Sequence, residues 1–263
     1  MRIRRVAILI DGSFFLKRLK SWPGVNINDP DAVRRAIVSL CRNHIHKLIG
    51  KPSPQYGQVW LDQVYRLFFY DAEPYEGSPF NPLLRKQIDF SKTQEARFRL
   101  DLFDLLRKER KFALRLGSLK AQGAWTPYDK YMKGLLKSWH DIPLIEDAVL
   151  NGKVLSDEEK EAIRSNLEQW SQLTSEDVFF PLRQKGVDMK IGLDIASMTL
   201  KGQVDTIILV TGDSDFVPAA KVARREGVEF ILDPMWQSVD SDLMEHIDGI
   251  ASGFAKPYVT KEV

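Results

Sequence analysis

Two short apolar runs, Val6–Ile10 and Ile207–Val210, are uninterrupted along their length, and each leads into an aspartate: Asp11 directly, Asp213 three residues on. A strand that is apolar at every position is buried on both faces, as in a parallel sheet covered by helices on either side. Further strands are expected at Tyr65–Tyr70, Phe112–Leu116 and Val228–Leu232. Helical periodicity lies between them, over Ala32–Ile49 (opened by Asn28-Asp29-Pro30-Asp31 and closed at Lys51-Pro52-Ser53-Pro54), Thr93–Arg110, Asp188–Leu200 and Asp215–Glu226. A last helix is expected around Ser241–Ile250. Strands alternating with helices in this way predict an α/β fold, a parallel sheet of about five strands with helices on both faces. In such a sheet functional groups collect beyond the carboxyl ends of the strands, where strand order reverses.

The rhythm breaks from about residue 118 to 183. Gly123, Pro127, Gly134, Pro143 and Gly152 punctuate this stretch, and Ser156-Asp157-Glu158-Glu159 has the form of a capping box opening a helix to about Leu173. The expectation is one domain over residues 1–263 with a mostly helical insertion at 118–183, which is open to pairing with a second copy or with another protein. A chain of 263 residues, 44% hydrophobic, supplies a sizeable core. No apolar run approaches the ~20 residues of a membrane span. Met1-Arg2-Ile3-Arg4-Arg5 and the run after it are too short for a signal peptide, and no small-residue cleavage site follows. Cys41 is the sole cysteine, so neither an internal disulfide nor a cysteine zinc site is available. These features predict a cytoplasmic protein without a membrane partner.

A net charge of +2 conceals an asymmetry: fourteen Lys and Arg face six acids between Arg85 and Lys137, and Asp141–Pro181 reverses the balance. A basic stretch carrying Phe98, Trp125, Tyr128, Tyr131 and Trp139 could track a phosphate backbone and offer faces for base stacking, or could be a solvated helix face over core aromatics.

The acids admit two readings each. Asp11 in Ile10-Asp11-Gly12-Ser13 opens a turn or stands at a strand-end site. Asp213 and Asp215, in Thr211-Gly212-Asp213-Ser214-Asp215, could cap the next helix, but one cap needs one acid. Asp188 follows Gly186 as an N-cap would. Asp194 lies in a helix that reads apolar almost all round, with Lys190 four residues earlier as a candidate ion-pair partner. Carboxylates that converge repel one another unless a cation sits among them, and Mg²⁺ or Mn²⁺ is the natural one for an all-oxygen site. The histidines show no zinc-ligand spacing, and no phosphate-binding glycine loop or nucleophile elbow is present.

Three segments taken together, Ala7–Ser13, Lys185–Asp194 and Asp205–Phe216, resemble the NYN-domain family of PIN-like metal-dependent ribonucleases. The resemblance implies a carboxylate pocket in which Asp11, Asp188 and Asp213 match the principal acidic positions, with Asp194 and Asp215 matching acids that recur in bacterial members. Many members carry Asn soon after the first aspartate, whereas here Phe14-Phe15 follow Ser13, leaving Ser13 as the nearby polar substitute. The implied activity is hydrolysis of RNA with Mg²⁺ or Mn²⁺ as cofactor. Asp11, Asp188 and Asp213 would be the catalytic acids and metal ligands, Asp194 and Asp215 further ligands, and Ser13, Lys185 and Lys190 the groups nearest the substrate. Two alternatives remain: a binding module on the same fold that does not cleave, and a dehalogenase-like phosphatase. The latter needs a second aspartate where Ser13 stands.

Overall fold

The computed structural model describes residues 4–49 and 59–257. The expected helix stop at Lys51–Pro54 and the residues Met1–Ile3 lie outside that range. The described residues form two compact units, one within residues 4–49, 59–75, 90–119 and 184–257 and one of residues 76–89 and 120–183.

The first unit carries a seven-stranded sheet. Its strands are β1 (Val6–Asp11), β2 (Val64–Glu73), β3 (Phe112–Ala121), β4 (Leu182–Lys185), β5 (Thr206–Val210), β6 (Glu229–Asp233) and β7 (Gly249–Ile250), in the spatial order β7-β6-β5-β1-β2-β3-β4. The pairs β1/β2, β2/β3, β1/β5, β5/β6 and β6/β7 are all parallel. The parallel α/β architecture is as expected, with two additions to the expected five strands. β4 follows the irregular stretch, and β7 occupies residues 249–250, where the sequence suggested helix. That last helix stops at Glu245, and the Asp248 amide instead donates to the Phe230 carbonyl, starting the β7 pairing.

Helices cover both faces, as the all-apolar strands require. Val6, Ile8 and Ile10 of β1 point into one core, packed by α1 (Gly12–Leu19), α2 (Pro30–Ile49) and α3 (Gln94–Lys108). Ala7 and Leu9 point into the other core, formed with α7 (Val187–Leu200), α8 (Val217–Arg225) and α9 (Ser241–Glu245). The period of two along an extended chain makes this division. Strand order runs outward from β1 through β2, β3 and β4 on one side and through β5, β6 and β7 on the other. The reversal therefore falls between β1 and β5, the place where open α/β sheets bind ligands.

The second unit is mostly helical: α4 (Asp129–Lys137), α5 (Ile142–Leu150) and α6 (Asp157–Ser171). Ser156 and Glu159 form the capping box read from the sequence. Asn166 donates to Asp141 at 2.6 Å, the Trp170 indole donates to Ser138 at 2.8 Å, and Leu135 and Ile163 are buried. Two short antiparallel pairings complete it, Phe80–Asn81 with Lys86–Gln87 and Thr126–Pro127 with Val178–Phe179.

Candidate metal centre at the carboxyl edge of the sheet

Asp11 ends β1 and caps α1. Its Oδ1 accepts the Phe14 amide at 3.1 Å, so the Asp-Gly pair here joins strand to helix instead of forming a free turn. Gly12 is required by packing: a Cβ there would lie 2.6 Å from the Tyr70 carbonyl oxygen and 2.8 Å from the Phe69 ring. The other carboxylate oxygen accepts a long hydrogen bond, 3.4 Å, from the hydroxyl of the fully buried Thr211. That hydroxyl in turn accepts the Asp213 amide at 3.3 Å. Thr211 thus ties the end of β1 to the turn after β5, across the reversal of strand order.

Asp213 caps the short turn Ser214–Phe216 by accepting the Asp215 amide at 3.0 Å, and both acids are exposed. The capping alternative therefore holds for one oxygen of Asp213, and Asp215 remains as the extra acid. Gly212 packs under the ring of Phe14, 2.7 Å from where its Cβ would stand. The residue at the position where many NYN members have an amide is thus an aromatic wall of the pocket. A cavity of ≈ 690 Å³ opens here, lined by Asp11, Ser13, Phe14, Lys17, Thr211 and Asp213, among others.

Asp188 lies in the first turn of α7. Gly186, with φ 79°, is the N-cap, so Asp188 makes no capping hydrogen bond and is exposed. Partial burial raises its carboxyl above the usual range, and the charges of Asp213 and Asp215 raise it further. Asp11 is affected more strongly. Burial pushes it up to about 6; the Asp188 and Asp71 carboxylates add to the rise, while the Phe14 amide and the Thr211 hydroxyl oppose it. Asp188 thus links the site electrostatically: its charge reaches Asp11 on β1, and it feels the charges of Asp213 and Asp215 in the turn after β5.

Asp194 is placed elsewhere. Six residues along an α-helix turn it by roughly 600°, leaving Asp188 and Asp194 about 120° apart around α7. Asp194 accepts the Tyr70 hydroxyl and the Arg115 guanidinium, each at 2.9 Å. Lys190, the partner suggested by spacing, donates instead to the Leu116 carbonyl. Nor is α7 buried all round, since Met189, Leu193 and Leu200 are exposed. Of the expected substrate contacts, Ser13 donates to Gln184 at 3.1 Å, and Lys185 is exposed. Part of the basic stretch is internal bonding: Arg99 pairs with Asp71, Arg115 with Asp194, and Lys111 donates to the Leu61 and Val64 carbonyls.

Two further strand-end acids escaped the sequence reading. Asp71 on β2 is buried and held by Arg99 and the Ala72 amide; burial still raises its carboxyl overall. Asp233, at the end of β6, is buried with His44 at 2.7 Å and also accepts the Gly253 amide and the Ser252 hydroxyl. Burial pushes the Asp233 carboxyl up, but the hydrogen bond and charge of His44 bring it below the usual range. An acid ending an apolar run was the available signal for both residues. Only their bonded partners mark them as structural.

Among the described residues no three acid, histidine or cysteine groups stand close enough to enclose a metal ion. The donors fit a hard divalent cation in kind, all of them carboxylate oxygens with Asp11 and Asp188 raised by burial and, less strongly, by like charge. Mg²⁺ commonly keeps several waters and takes only one or two carboxylates directly, which an open site of this kind can supply. No described helix is long and apolar enough to cross a membrane.

Comparison with known proteins places residues 146–248 in a match to the NYN domain, which bears out the resemblance seen in the motifs over that span. The matched residues include Asp188, Asp194, Asp213 and Asp215; Asp11 lies before them. NYN domains are PIN-like α/β folds, and a parallel sheet with helices on both faces agrees with that class. No curated protein matches the chain. Among solved structures, a protein of unknown function from Vibrio parahaemolyticus RIMD 2210633 is similar at 12% identity, with a TM-score of 0.40, over 95% of this chain and 94% of that one.

Proposed function

On the premise of the NYN match over residues 146–248, we propose that this protein is a divalent-metal-dependent ribonuclease acting at the β1/β5 edge. One observation carries the reading: at the switch point of a parallel sheet Asp188 acts by charge on Asp11 and is itself acted on by Asp213 and Asp215. One or two of Asp11, Asp188 and Asp213 would hold Mg²⁺ or Mn²⁺ directly and the rest through bound water, with Asp215 completing the negative field. A bound ion of this class supplies an activated water and offsets charge on the attacking and leaving oxygens. The chain's own residues set the geometry. Thr211 fixes one oxygen of Asp11, and the Phe14 amide fixes the other. Hydrolysis adds the water oxygen to phosphorus, breaks one P–O ester bond and leaves the proton to the departing oxygen and solvent.

RNA is the proposed partner. Lys185 is free to reach a phosphate, whereas the Lys190 ammonium and the Ser13 hydroxyl would first have to leave Leu116 and Gln184. Asp194, bonded to Tyr70 and Arg115, is proposed to position α7, and hence Asp188, without touching the metal. The second unit exposes Trp139, Val149, Leu150 and Val154, and is proposed as the surface for a second copy or another protein. A second reading, binding without cleavage, is favoured by the absence of a closed three-acid cluster among the described residues.

The test is cleavage of labelled single-stranded RNA in Mn²⁺ by the natural chain and by Asp213→Asn. Metal-dependent cleavage by the first and not the second is expected. Tight RNA binding with no cleavage by the natural chain would establish the binding module instead.

A further inference from the structure

A second cavity, of ≈ 540 Å³, opens beside the carboxylate pocket and shares Ser13 and Lys17 with it. Both shared residues lie on one face of α1, four positions apart. The apolar part of the lining is Leu16, Ile27 and Phe98, three half-buried side chains packed on the main core. Its polar edge carries the amides of Asn28 and Gln94 and the ammonium groups of Lys17 and Lys20, all four residues exposed. Among the described residues neither lysine has a carboxylate partner, although thirteen other Lys, Arg and His side chains do. Among the described residues the side-chain amides of Asn28 and Gln94 likewise have no hydrogen-bond partner; the Asn28 backbone amide donates to the Asn26 side chain.

An apolar floor, an edge of groups that both donate and accept, and two unpaired cations, one of them shared with the carboxylate pocket, describe a particular ligand. It has a flat apolar body, a hydrogen-bonding rim and an anionic tether, as a nucleotide does. The volume falls within the range of small-ligand sites. We propose that this cavity is a nucleobase subsite for the nucleotide next to the phosphodiester held at the carboxylates. Lys17 and Lys20 take the connecting phosphates, the base rests on Leu16, Ile27 and Phe98, and Asn28 and Gln94 read its edge. Glu95 and Arg99, also in the lining, pair with each other at 3.6 Å, and Arg99 also holds Asp71. The inference rests on the ribonuclease reading for what occupies the neighbouring pocket.

The experiment is fluorescence anisotropy of labelled homopolymeric oligoribonucleotides of U, C and A with the full chain in chelator, so that nothing is cleaved. Three proteins are compared: the natural chain, Lys17→Ala/Lys20→Ala and Asn28→Ala/Gln94→Ala. All four positions are exposed, which keeps folding out of the comparison. The lysine variant is expected to lose about 10-fold in affinity, and its log–log salt slope should shrink by about 1.4, the value for two phosphate contacts on a single strand. The amide variant is expected to keep the salt slope and lose the difference among the three bases. Unchanged binding in both variants overturns the subsite, as does a reduced slope with base preference intact. Aspartate-dependent cleavage in Mn²⁺ with unaltered binding in both variants sinks the subsite alone. The expected binding losses without any cleavage in Mn²⁺ sink the ribonuclease reading and leave the subsite standing.

Discussion

Replacing Asp11 by asparagine removes the charge that the fold tolerates least at its carboxyl edge. Burial, with help from Asp188 and Asp71, lifts this carboxyl from the usual 3.8 to about 6. At ~1.4 kcal/mol per pH unit, that rise makes the ionised form cost the folded state about 3 kcal/mol. The sign follows from which state holds the proton longer. The unfolded chain releases it near 3.8 and the folded chain near 6, so this residue's contribution is complete below about pH 4 and is lost as pH rises through about 6. Asparagine is neutral at every pH. It can still accept the Phe14 amide, but it loses the long bond from Thr211, at a cost of about 1 kcal/mol. In chelator, Asp11→Asn should therefore be more stable than the natural chain by about 2 kcal/mol near pH 8, and equal or slightly less stable near pH 4. Urea denaturation across that range measures the difference, and comparing the two proteins cancels the titrating groups that do not sense Asp11. A variant that is less stable at pH 8, or a gap that does not change with pH, would refute the electrostatic account of the site. Adding Mn²⁺ should then stabilise the natural chain and leave the variant nearly unmoved.

Thr211→Val keeps shape and burial but removes the hydroxyl between Asp11 and the Asp213 amide; we expect a loss of about 1–2 kcal/mol by denaturation and slower RNA cleavage. Asp233→Ala strips a buried histidine of its partner and should cost about 3 kcal/mol or more. Because the Asp233 carboxyl is lowered in the fold, its contribution is present above the unfolded value and lost as pH falls through the folded one. Acid titration of stability should show that loss in the natural chain and not in the variant. Tyr70→Phe removes one of the two bonds to Asp194 and should lower stability by about 1 kcal/mol; an unchanged midpoint would mean that Arg115 alone holds α7 there. Charge reversal at Arg97, Arg107 and Arg110, all exposed, should weaken RNA binding and flatten its salt dependence. No change would move the RNA surface off α3.

The features that could be read in the sequence were the local ones. Val6–Ile10 and Ile207–Val210 are apolar at every position because helices bury both faces of β1 and β5. Their adjacency at the switch point then brings Asp11 and Asp213 to one edge. What the sequence hid depends on distant partners. Asp194 looked paired to Lys190 through helical spacing, yet its bonds come from Tyr70 on β2 and Arg115 on β3, both remote in the chain. The apolar letters of α7 suggested burial all round, whereas Met189, Leu193 and Leu200 are exposed. Asp71 and Asp233 follow apolar runs just as Asp11 does, and only Arg99 and His44 set them apart. Phe14 looked like the loss of a useful amide; its place against Gly212 makes it a wall of the pocket. The Lys17 cavity combines α1, residues 27–28 and α3, which no local pattern unites.

The central claim is that Asp11, Asp188 and Asp213 hold a divalent cation between β1 and β5. Anomalous diffraction from a crystal soaked in Mn²⁺ tests it most directly. The account predicts a peak at that edge, within coordinating distance of Asp11 and at least one of the other two, and absent in Asp11→Asn. Mn²⁺ bound only elsewhere, or at this edge with Asp11 outside its shell, would contradict it.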